Sequence, residues 1–369
     1  MNVTDFIPLA RPDINETDIQ KVVEVLQSGM LVQGKNVADL EKAFADFHNS
    51  RNAVAVSNGT ATLHLALKVL GIGRGDEVIV PAFSYTATAN AVELVEATPV
   101  FVDINLATYN INTDEIESKI TDRTKAIIPV HEFGLACNIE KICEIAKRKN
   151  LYVIEDAACA LGACQNNKPV GTFGIFGSFS LHPRKSITAG EGGILLTQDL
   201  NLSNKIKQYR NHGLDPEKAE MDFVAAGFNY RMTDFQAALA LSQFQRLKKI
   251  LNYKNELAQV YLNEIKNPLV TLPVIPNGHN HTWQTFHLLL DDSLVQKSVI
   301  SKLKDLNIGS NFGAQCIPDQ TYYKNKYRYN SKNKFPESYK AYTQGLAIPI
   351  YERLTKKDVS TISKIINSL

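Results

Sequence analysis

Between residues 53 and 200, short apolar runs alternate with amphipathic stretches, and this alternation limits the possible folds more than any other feature of the chain. The runs cover residues 78–83, 99–104, 126–130, 152–155 and 193–196, and helix-like segments at 60–70, 113–120 and 139–149 lie between several of them. Runs this short and apolar on both faces are strands of a covered sheet, and helices between them make that sheet mostly parallel. Thr113 or Asp114 is placed to cap the second helix and Asn138 the third. The expectation is an α/β domain.

The rest of the chain reads differently. Residues 232–265 repeat apolar side chains at helical spacing, from Phe235 through Leu239 and Phe244 to Ile250, and read as one long helix. Residues 267–280 hold three prolines and form a boundary. A strand candidate at 286–290, a helix at 293–306 and a terminal helix after Thr355 follow, which suggests a smaller α+β unit. The expected division is a large domain over 1–255 and a small one over 256–369, with the first residues free to pack on the small one. A chain of 369 residues can bury its core without staples. Residues 319–334, rich in Tyr, Lys and Asn, read as a solvated loop.

Charge and cysteine content exclude several classes of function. Lys and Arg number 40 against 38 Asp and Glu, with no basic block, so neither nucleic acid nor an anionic membrane is called for. Five cysteines, an odd number without zinc-ligand spacing, fit a reduced cytoplasmic protein. The start, MNVTDFIPLARPDI, lacks the features of a leader peptide, and no apolar stretch is long enough for a membrane helix.

Three segments depart from core patterning. Ser57-Asn58-Gly59-Thr60-Ala61 closes a strand-like run and opens a helix, where unpaired amides and a hydroxyl suit a phosphate. Read alone it is also an ordinary N-cap. Glu155-Asp156 follows a strand directly, at the end that faces the ligand crevice of a parallel sheet, although Asp156 equally reads as a helix cap. The third segment, FSLHPRKSITAGEGG, sets Lys185 among hydroxyls, glycines and small apolar residues. The phosphate-loop patterns GxxxxGK[ST] and GxGxxG are absent. Together a phosphate site, a strand-end carboxylate and a sequestered lysine are what pyridoxal phosphate requires.

The sequence resembles the DegT/DnrJ/EryC1/StrS family, fold-type I pyridoxal-phosphate enzymes that mostly aminate nucleotide-linked keto-sugars. The matching motifs span the chain: IPLARPDI, SGMLVQGKNVADLEKAF, VSNGTATLHLAL, DEVIVPAFSYTATANAV, TPVFVDI, PVHEFG, VIEDAACALGA, FSLHPRKSITAGEGG, GFNYRMTDFQAALALSQ and IPIYERLT. The resemblance implies an aspartate-aminotransferase-like fold with a mostly parallel sheet of the seven-stranded type and a smaller α+β C-terminal domain. It implies that Lys185 carries the cofactor and shuttles the proton, and that Asp156 pairs with the pyridine nitrogen. Tyr85 stacks on the ring, while Gly59, Thr60 and Ser180 bind the phosphate. Asn229 reaches that phosphate from the other subunit of a homodimer.

Function follows the same resemblance: transfer of an amino group from L-glutamate to a nucleotide-linked keto-sugar, a 4-keto-6-deoxyhexose, for surface polysaccharide of the O-antigen type. Amination at C3, a cyclitol-type ketone and a non-catalytic regulator are the alternatives. Family members that dehydrate sugars replace the lysine by histidine, so Lys185 favours transamination. Two departures stand out. Cys159 occupies the cofactor-binding position where many members carry Gln, and IGSNFGAQCIPDQTYY lacks the family's commoner pattern at 308–323.

Overall fold

A computed structural model describes residues 5–215 and 218–369. The first four residues of the segment read for a leader lie outside them. Seven strands form the central sheet: β1 (Asn52–Val56), β2 (Glu77–Pro81), β3 (Thr98–Val102), β4 (Thr124–Ile127), β5 (Tyr152–Asp156), β6 (Phe176–Ser180) and β7 (Gly193–Thr197). Their spatial order is β1-β7-β6-β5-β4-β2-β3. Only β7 runs against its neighbours, pairing antiparallel with β1 and β6. The other pairs are parallel.

Both faces of the sheet are covered, as the unbroken apolar runs require. One core joins Val54, Val80, Phe101, Ile154 and Leu195 to the helix Gly59–Val69. Another packs Phe44, Phe179 and Ile194 against the helices that flank the opposite side. A separate core gathers Leu257, Tyr261, Trp283, Leu288, Leu346 and Ile362 around a three-stranded antiparallel sheet of Val270–Thr271, Phe286–Leu290 and Gly345–Ile348. Ile7 joins this core from the start of the chain, bonded on both sides to the Asn307–Gly309 backbone.

Three local readings need correction. The segment 113–120 is a turn followed by the 3₁₀ turn Glu117–Lys119, because the Asn112 side chain accepts the Asp114 amide and bonds Glu115 in place of a helical ladder. Neither Thr113 nor Asp114 caps a helix there, whereas Asn138 does cap Ile139–Lys149. The long helix at 232–265 is two, Asp234–Phe244 and Leu247–Glu264. The chain turns out of helical geometry at Arg246, which lets its guanidinium bond Asp13 and the fully buried Asp18 of the first helix. Residues 319–334 are no solvated loop. Thr321–Tyr327 is helical, and its i, i+4 tyrosines Tyr323 and Tyr327 pack edge-on against Phe101. Glu93 accepts from the Tyr327 hydroxyl and the Lys326 ammonium. All five cysteines are free thiols.

Candidate active site

Strand order places four elements around one cleft of about 900 Å³. Parallel strands β4, β5 and β6 end their carboxyl termini there, and the helix Gly59–Val69 starts there. Gly59, Thr60, Tyr85, Asp156, Cys159, Ser180 and Lys185 all line it. Asn229 does not. It is exposed on a bridge to Asn211, outside the cleft of its own chain.

The floor is built at the end of β5. Successive strand residues face opposite ways, so the two carboxylates part company. Glu155 is fully buried and accepts the amides of Gly171, Phe173 and Gly174 at 2.7–2.8 Å. It also faces His131 Nε2 at 3.1 Å. Because His131 Nδ1 accepts the Cys137 amide, the ring proton sits on Nε2 and is donated to Glu155. Glu155 is thus structural.

Asp156 turns into the cleft, where Thr88 Oγ1 donates to Oδ2 at 2.8 Å and the Ala158 amide to Oδ1 at 3.2 Å. Its backbone is pinned on both sides, by His131 and Pro129 on one and by the Ala157 amide to Ser178 on the other. Burial pushes the Asp156 carboxyl up, against the pull of Thr88, Ala158, Lys185 and His131. A cation brought against it would relieve that desolvation.

Lys185 sits on a turn after β6, its amide bonded to the His182 carbonyl at 2.8 Å. Gln243 clamps the following residues by exchanging hydrogen bonds with the Thr188 backbone, at 3.1 and 2.8 Å. Lys185 Nζ donates to Cys159 Sγ at 3.0 Å. Burial lowers the affinity of this amine for its proton, but Cys159, Asp156 and Glu132 outweigh it and the net shift is upward. The Cys159 thiol is itself pushed up by burial.

At the other end of the cleft, Asn58 caps the helix by accepting the Ala61 amide at 2.9 Å. That leaves the Gly59 and Thr60 amides of the first turn with no carbonyl of their own helix. Ser180 closes against them so tightly that a Cβ on Gly59 would stand 2.9 Å from Ser180 Cβ. Two amides, two hydroxyls and a helix N-terminus make an anion cradle. Cradle, Asp156 and Lys185 together fit pyridoxal phosphate.

Two contributors were not singled out from sequence. Thr88 was legible in principle, three residues after Tyr85 at the start of a helix. Glu132, inside PVHEFG, is a carboxyl beyond the end of β4, 4% exposed and lining the same cleft. Burial raises it to about 8, with Asp156 adding to the rise and Ser84, Lys185 and the Phe133 amide opposing it.

Known proteins resemble the chain over almost its whole length. The DegT/DnrJ/EryC1/StrS aminotransferase family profile matches residues 12–367. A GDP-perosamine synthase from Caulobacter vibrioides is 39% identical over 309 residues, 82% of this chain and 83% of that protein. The UDP-4-amino-4-deoxy-L-arabinose–oxoglutarate aminotransferase of Shewanella sediminis is 34% identical over 386 residues, covering 99% and 98%. Among solved structures, a Streptococcus pneumoniae protein assigned as a sugar aminotransferase superimposes with TM-score 0.93 in its PLP-form, at 27% identity over 98% of both chains. A PMP-form of the same protein superimposes equally well.

Proposed function

The chain belongs to the DegT/DnrJ/EryC1/StrS aminotransferase family, a fold-type I family dependent on pyridoxal phosphate, and on that premise we propose that it moves the amino group of L-glutamate onto a nucleotide-linked 4-keto-6-deoxyhexose for surface polysaccharide. The observation that carries this reading is the retention of Lys185 within one cleft with Asp156. Relatives named for GDP- and UDP-linked sugars support a nucleotide-linked substrate. One of those names also carries a 4-amino product and oxoglutarate, which supports C4 and the glutamate donor. The odd set of free cysteines supports a reducing, cytoplasmic setting.

Pyridoxal phosphate supplies the electron sink for the bond broken at the amino-bearing carbon. Lys185 would hold the cofactor covalently, and its amine, once displaced by the amino donor, would take the proton from the donor's carbon in the first half-reaction and deliver a proton to the acceptor sugar's carbon in the second. Asp156, kept in place by Thr88 and the Ala158 amide, stabilises the cationic ring nitrogen. Gly59, Thr60 and Ser180 fix the phosphate, so that the reacting carbon stays within reach of Lys185 Nζ. Tyr85, 68% exposed in the single chain, covers the ring, and Asn229 completes the phosphate site of the partner subunit.

The test is isotopic. L-glutamate labelled with ¹⁵N at its amine is incubated with the enzyme and a panel of GDP-, UDP- and dTDP-linked 4-keto-6-deoxyhexoses. The expected result is ¹⁵N in one amino-sugar nucleotide, detected by mass spectrometry. Transfer to free cyclic ketones alone would discard the nucleotide-linked substrate.

A further inference from the structure

Glu132 is a buried carboxyl beside Lys185 and Asp156, and the proposed reaction leaves it without a task. It enters the cleft from the 3₁₀ turn Glu132–Gly134, directly after His131. Its backbone is fixed, the amide donating to Asn110 Oδ1 at 2.8 Å. The carboxyl group faces the Ser84 hydroxyl, the Phe133 amide, Asp156 and Lys185. Cys159 lies close enough to feel its charge. One oxygen, Oε2, is buried without any hydrogen-bond partner. A buried carboxyl oxygen left unpaired carries an uncompensated desolvation cost, so such a group is an exception that calls for a reason.

The reason lies in the neighbouring position. Cys159 stands where the family resemblance implies a glutamine in many members, and its thiol already accepts from Lys185. A thiol offers a weak donor where an amide offers a strong donor and a strong acceptor. A carboxylic acid carries the same donor and acceptor pair as an amide. We infer that Glu132 is a further cofactor-holding residue, hydrogen-bonding pyridoxal phosphate beside Lys185 through the unpartnered side of its carboxyl group, in place of the amide missing at 159. The burial that raises Glu132 keeps a proton on it at neutral pH, so it acts as a donor and adds no negative charge next to Asp156.

This inference rests on the assignment of Lys185 as the cofactor-carrying residue, and the experiment separates the two. Equilibrium dialysis measures pyridoxal phosphate affinity, and the visible band of lysine-bound cofactor reports the linkage. The wild type is compared with Glu132→Gln, Glu132→Leu, the double variant Glu132→Leu/Cys159→Gln, and Lys185→Ala. Loss of the hydrogen bond in Glu132→Leu is expected to weaken binding about tenfold. Glu132→Gln, which keeps a donor, is expected to bind like the wild type. Restoring an amide at 159 is expected to recover the affinity that leucine loses. Unchanged affinity in Glu132→Leu, equal losses in the leucine and glutamine variants, or no recovery in the double variant would overturn the role of Glu132. A visible band persisting in Lys185→Ala would instead overturn the assignment of Lys185.

Discussion

Lys185 Nζ lies 3.0 Å from Cys159 Sγ, and the two belong to segments 26 residues apart. The contact stores the amine against a neutral thiol, with the carboxyls of Asp156 and Glu132 near by. A free lysine amine there is held in its protonated form and must give up that proton before it can act as a nucleophile or a base.

Asp156→Asn keeps the size and the Thr88 contact but removes the negative charge. The single-turnover rate of amino transfer is expected to fall on the order of 10²-fold or more, the scale at which one electrostatic contact to a transition state is felt. Circular dichroism should be unchanged, since the backbone bonds of Asp156 to Pro129 and His131 do not depend on the side chain. A rate equal to wild type would remove Asp156 from its proposed role.

Gly59→Ala forces a methyl to within 2.9 Å of Ser180 Cβ and 3.2 Å of its Oγ. Overpacking of this kind costs about 1–3 kcal/mol. Here it opens the cradle, so pyridoxal phosphate is expected to bind more weakly while free pyridoxal, which has no phosphate, binds as before. Equal losses for both ligands would place the phosphate elsewhere.

Asn229 is exposed and outside the cleft of its own chain. If it serves the partner subunit, dimers of Lys185→Ala and dimers of Asn229→Ala are each inactive, but subunit exchange creates one native site per hybrid dimer. Activity is expected to reappear on mixing. A mixture no more active than its parents would confine the site to one chain.

The buried histidines set the acid side of stability. Burial lowers His48 to about 4 and His287 to about 3, below the 6.5 of an unfolded chain. Between these values the unfolded chain binds protons that the folded chain refuses, so stability falls as pH drops from 6.5 toward 4. Each tenfold difference in proton affinity between the two states is worth about 1.4 kcal/mol. The thermal midpoint of His48→Leu is expected to vary less with pH over that range than that of the wild type. An identical pH dependence would show that His48 takes no part.

The parallel sheet was legible because strands buried on both faces leave uninterrupted apolar runs, and the sequestration of Lys185 in the cleft because small and apolar neighbours are wrong for a surface lysine. What escaped depended on long-range pairs. The helix break at Arg246 is set by Asp13 and Asp18, more than 200 residues away in sequence. Periodicity alone runs straight through it. The tyrosines of 321–327 look like a polar loop until Phe101 and Glu93 are brought to them. Glu132 carries no local signature, because what marks it is burial beside Lys185 and Asp156. Glu155 and Asp156 are adjacent in sequence, and only the pleat of β5 tells the structural carboxylate from the cleft-facing one.

That Lys185 carries pyridoxal phosphate and yields it to an amino donor is tested most directly by borohydride reduction of the loaded protein. The reduction is run before and after addition of L-glutamate and followed by peptide mass mapping. The predicted result is a phosphopyridoxyl mass on Lys185 before glutamate and its disappearance afterwards. The modification found on another lysine, or left undiminished by glutamate, would contradict it.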